Sequence, residues 1–79
     1  MTDEERFILT AYQIAESKGD PELVIPIDDI SRRMGITSKS AKNFTRQLVR
    51  GNFFRKASEE ELRLTQLGIN LAMTFLEDS

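Results

Sequence analysis

Two short helical periods joined by Met34-Gly35-Ile36-Thr37 constrain this chain more than any other feature. At about 100° per residue, Ala41, Phe44 and Leu48 fall within roughly 60° of one another, a narrow apolar stripe. Lys39, Lys42, Asn43, Arg46 and Arg50 fan across roughly 100° on the opposite side. The pattern predicts a helix over 38–50 with Thr37 as N-cap, since its hydroxyl can accept free amides of the first turn. Gly35 can take the left-handed conformation that ends a preceding helix, Ile27–Met34, and Ile36 is then an apolar plug between the two. A helix with a narrow apolar contact and a basic free face is shaped to lie against something negative.

Charge placement sharpens that reading. The formal net charge is −2, which by itself argues against nucleic acid. Yet between Ile30 and Ser58 there are eight basic residues (Arg32, Arg33, Lys39, Lys42, Arg46, Arg50, Arg55 and Lys56) and no Asp or Glu. Ordinary solvated helix faces mix both signs, often as Glu–Lys pairs four apart. The unmixed run is the electrostatic pattern of a surface that meets an anionic polymer.

The run Ile30-Ser31-x-x-Met34-Gly35-Ile36-Thr37-x-x-Ser40-Ala41-x-x-Phe44-x-x-x-Leu48 resembles the helix-turn-helix of DNA-binding regulators. The continuation Gly51-Asn52-Phe53-Phe54 through Leu62-Arg63-Leu64-Thr65-Gln66-Leu67-Gly68 looks like the wing and last helix of small winged-helix transcription regulators of the MarR/PadR kind. The resemblance implies an α+β winged helix: helix-turn-helix at about 27–50, wing at about 53–64 and C-terminal helix at about 65–77. It departs from the pattern twice. Ser31 stands where an alanine is usual, and the wing tip carries Glu59, Glu60 and Glu61 where bases are usual, so the tip is expected to point away from DNA or stay loose.

The flanks fit this plan. Thr2-Asp3-Glu4-Glu5 is a capping box for a first helix reaching Ser17 or Lys18, with Phe7, Ile8, Ala11, Ile14 and Ala15 on one face and Leu9 off it. Gly19-Asp20-Pro21 stops it. Leu23-Val24-Ile25 suggests a short strand that Pro26 ends, placed at a sheet edge because proline lacks the ladder donor. Asp28 and Asp29 fall in the first turn of the next helix, where the helix dipole favours acids, and need no catalytic explanation.

Seventy-nine residues make one small domain. The chain has no Cys and no His, which leaves no disulfide, no zinc cluster and no Ser-His or Cys-His nucleophile. No phosphate loop appears either, so the chain reads as neither enzyme nor metal or cofactor binder. Without a leader-like run or a segment of about twenty apolar residues, no membrane association and a cytoplasmic location are expected.

The groove geometry of a docked helix assigns candidate roles. Ser38, Lys39, Lys42, Asn43 and Arg46 are candidates for contacts inside the major groove, with Arg46 suited to guanine and Asn43 to adenine. Arg32, Arg33, Arg50, Arg55 and Lys56 are candidates for phosphate contacts. A different class of function, a winged-helix module that binds an acidic protein or RNA, is favoured by the negative net charge and the acidic wing.

The last helix carries apolar residues around roughly 240° of its circumference, more than the roughly 100–160° that one core contact needs. That excess predicts a homodimer through the terminal helices, with Leu9, Ile69, Met73, Phe75 and Leu76 at its interface. Dimerisation through terminal helices is also what the resemblance implies.

Overall fold

A computed structural model of the chain describes residues 1–78 and orders seven elements: α1 (Asp3–Ser17), β1 (Ile25–Pro26), α2 (Ile27–Met34), α3 (Ser38–Arg50), β2 (Phe54–Ser58), β3 (Glu61–Leu64) and α4 (Gln66–Glu77). The three strands form one antiparallel sheet in the order β1-β3-β2.

Local chemistry sets the helix boundaries. Thr2 accepts the Glu5 amide at 3.1 Å while the Glu5 carboxylate accepts the Thr2 amide at 2.7 Å, closing the capping box of α1. The Thr2 amide, and after it the Thr2 hydroxyl, hold the Glu5 carboxyl below its ordinary value. Gly35 ends α2 at φ 71°, and the following Ile36 amide donates back to the Ser31 carbonyl at 3.0 Å. Thr37 then caps α3 by accepting the Ser40 amide at 3.1 Å.

The core lies where α1, α2, α3, α4 and the sheet converge. Phe7 is fully buried and its ring meets two others: Phe44 of α3 at 5.9 Å and Phe54 of β2 at 5.7 Å, the latter edge-on at 76°. Such contacts add about 0.5–1.5 kcal/mol each beyond simple burial. Ile8, Ile25, Ile27, Ile30, Leu62 and Leu64 fill the space around them. Three polar side chains, Thr10, Ser31 and Thr45, are buried, and the last two each find a carbonyl in their own helix for the hydroxyl. Ser31 donates to Asp28 at 3.0 Å and Thr45 to Ala41 at 2.8 Å. A serine thus satisfies the small-residue position on α2.

The strands are shorter or later than their apolar runs suggest. The expected strand at 23–25 begins only at Ile25, because a turn at Asp20 takes the amides of Glu22 and Leu23. Pro26 sits inside β1, which is an edge strand as its missing donor requires. Phe53 stays outside β2. Its amide donates to Leu48 and its carbonyl accepts from Thr65, so its backbone links the end of α3 to the start of α4. Thr65 tightens this junction by donating to the Asn52 carbonyl at 2.6 Å and accepting the Gly68 amide at 3.1 Å.

On α4 the buried arc is Gly68, Ile69 and Ala72. Ile69 is 6% exposed and therefore belongs to the domain's own core, which corrects its assignment to an intermolecular face. The exposed apolar surface splits to either side of that arc: Met73 (45% exposed) on one side, Leu67 (47%) with half-buried Leu71 on the other. Leu76 is 42% exposed, and Leu9 and Phe75 are half-buried. Among the described residues, no helix is long and apolar enough to cross a membrane.

Candidate nucleic-acid interface

The narrow contact of α3 with the core is made by Ala41, Thr45 and Leu48, with Phe44 and Val49 partly buried beside them. Everything opposite is exposed: Ser38, Lys39, Lys42, Asn43, Arg46 and Arg50. No acidic residue occurs anywhere in α3. The helix therefore presents an uninterrupted polar and basic strip to solvent, fixed in place by the Thr37 cap at one end and the Gly51–Phe53 junction at the other.

Within the strip, Arg46 Nη2 donates to Asn43 Oδ1 one turn earlier. The two residues proposed to read bases are thus one hydrogen-bonded unit. Arg32 and Arg33 stand exposed on α2, and Arg32 is held by Asp29 at 3.0 Å. Arg55 and Lys56 stand exposed on β2. The strand register sets Arg55 directly opposite Arg63 of β3, also exposed. Arg63 lies outside the acid-free stretch from Ile30 to Ser58, beyond Glu59, Glu60 and Glu61, and only the cross-strand pairing brings it beside Arg55.

Three basic residues that seemed unopposed in the sequence have acidic partners in the fold. Besides Arg32–Asp29, Lys42 Nζ lies 3.9 Å from Glu60 and Lys56 Nζ lies 3.6 Å from Glu59. The wing tip does not turn away from α3. The Glu60 carbonyl accepts the Ile27 amide at 2.8 Å, which tethers the turn to the start of α2 and brings its carboxylate alongside Lys42.

A helix, an edge strand, two further helices, a two-stranded wing and a closing helix in this order make a recognisable whole. This is the winged-helix fold. Among solved structures it is similar to MepR, a transcription regulator of the Staphylococcus aureus multidrug efflux pump MepA, with a TM-score of 0.71 and 22% sequence identity. The match covers 99% of this chain and 57% of that one, so the chain spans little more than half the length of that protein. No family model matches the chain, and no curated protein is similar to it in sequence. The winged-helix architecture expected from the motif between Ile30 and Gly68 is the one observed.

Proposed function

We propose that the chain binds duplex DNA as a sequence-specific transcription regulator, with α3 in the major groove. The observation that carries this reading is the free face of α3, where Lys39, Lys42, Asn43, Arg46 and Arg50 stand exposed with no acid on the same helix. A helix is the element that fits the major groove, and its exposed side chains meet base edges there. Arg46, braced by Asn43, reads a guanine; Lys39, Lys42 and Ser38 contact bases, sugar or phosphate nearby. Arg50, Arg32, Arg33, Arg55 and Lys56 hold phosphates, and Arg63 extends that strip across the sheet. Support also comes from MepR, a protein of similar fold that is a transcription regulator.

The protein acts as a homodimer through its terminal helices, placing two copies of α3 about one DNA turn, roughly 34 Å, apart. Exposure of Met73 and Leu76, three residues apart on α4, supports this, since large apolar patches are rarely left uncovered by soluble monomers.

Selection of bound sequences from a random duplex pool tests the proposal. Enrichment of one motif, with inverted symmetry if the dimer holds, is the expected result; a pool that stays random refutes sequence-specific binding. The acidic wing, which DNA phosphates repel, favours one other reading, a module whose basic face docks an acidic protein partner or RNA, and a random pool together with unmeasurable duplex affinity would favour it.

A further inference from the structure

We propose that the wing turn is an intramolecular competitor of DNA, in which the Glu60 and Glu59 carboxylates occupy Lys42 and Lys56 and must be displaced before phosphates can reach them. This rests on the reading of α3 as a DNA-binding helix.

The geometry is built from the backbone outward. After the bulge between Lys56 and Ser58, the chain turns tightly at Glu59 and Glu60. Ser58 shapes that turn: its hydroxyl accepts the Glu60 amide at 3.3 Å and donates to the Glu61 carboxylate at 3.1 Å. From outside the hairpin, the Ile27 amide donates to the Glu60 carbonyl at 2.8 Å. The Glu60 side chain therefore starts from an anchored position, and its carboxylate reaches across to Lys42 Nζ on α3 at 3.9 Å. Glu59 folds back within the hairpin onto Lys56 at 3.6 Å.

Both pairs are solvent-exposed, with the Lys42 and Glu60 side chains 55% and 64% accessible. Exposed pairs contribute little and open readily, so they compete with an approaching polyanion without blocking it. A phosphate drawn to Lys42 meets a carboxylate of its own sign well inside the screening length of about 8–10 Å at ordinary ionic strength. The wing turn thus lowers the affinity of the basic strip for any duplex, and leaves Arg46 and Asn43 to supply preference for a particular one. An ornamental surface pair would have no such effect. A purely structural pair, one that fastens the wing to α3, would have the opposite effect, because breaking it would loosen the surface that binds.

The test compares the wild-type chain with the double variant Glu59→Gln/Glu60→Gln on a random-sequence duplex at low salt. A second double variant, Glu77→Gln/Asp78→Asn, makes the same change in net charge at the end of α4. The wing variant is expected to bind about three- to tenfold tighter, as the release of two exposed pairs allows. The logarithmic salt dependence should steepen by about one to two, because Lys42 and Lys56 then release counterions on binding. The α4 variant should change affinity less than twofold, and the melting temperatures of all three should agree closely. Unchanged or weaker binding by the wing variant, or an equal gain by the α4 variant, overturns the proposal while leaving DNA binding intact. Absence of measurable duplex binding by every protein removes both readings together.

Discussion

Arg46 donates a hydrogen bond to the side-chain oxygen of Asn43 on the exposed face of α3, so neither residue is independent of the other. An asparagine that reads adenine must offer that same oxygen to the base. The contact therefore favours a division of labour in which Arg46 faces a guanine with its remaining donors and Asn43 orients the guanidinium. Arg46→Ala is expected to cost about 1–3 kcal/mol on the preferred site and to relax preference at one base pair. Asn43→Ala should cost less, and the double variant should lose little more than Arg46→Ala alone. Affinities of the four proteins on specific and random duplexes give the coupling energy; strict additivity would mean two separate base readers.

Gly68 sits in the first turn of α4 where helix propensity alone favours alanine by about 1 kcal/mol. Its surroundings reverse that sign. A Cβ at Gly68 would stand 2.3 Å from the Phe53 carbonyl oxygen and 2.8 Å from Leu64. That carbonyl already accepts from Thr65 and cannot retreat without opening the junction between α3 and α4. Gly68→Ala should therefore destabilise the fold by about 1–3 kcal/mol, the usual cost of overpacking. Denaturant midpoints of variant and wild type measure it, and a gain in stability would show that the junction is loose.

The contrast between these two positions and Ile69 shows which parts of the fold were legible in the sequence. Thr2, Thr37, Thr65 and Gly35 mark their helix ends through bonds to residues three to five positions away, and the boundaries of α2 and α3 could be read from them. Helical periodicity reveals that α4 is apolar on many sides, but not which side the core takes; Ile69 proved internal and Leu67 exposed. Thr45 is polar and so falls outside an apolar stripe read from the sequence, yet its hydroxyl bonds to Ala41 and it packs inward. The candidate site divides in the same way. The basic face of α3 follows from spacing along one helix. The approach of Glu60 to Lys42 and of Arg63 to Arg55 depends on strand register and on the tether from Ile27, contacts between residues distant in the chain.

Assembly yields a separate expectation. With Met73 and Leu76 exposed on α4, the chain should sediment as a dimer at tens of micromolar. Met73→Glu should shift it to monomer while leaving the helical circular dichroism of the folded domain intact. Binding to a two-site duplex should weaken by tenfold or more once the two α3 helices are no longer coupled. A wild type that sediments only as monomer at that concentration would contradict the dimer.

The central claim is that the basic strip on and around α3 meets the DNA backbone. Its most direct test is the affinity of the wild-type protein for duplex DNA across a series of salt concentrations. Five or so phosphate contacts per chain predict a logarithmic slope of roughly −4 to −5 per protomer, and Arg33→Ala should reduce its magnitude by about one. A flat salt response, or no binding at the lowest salt, would contradict the account.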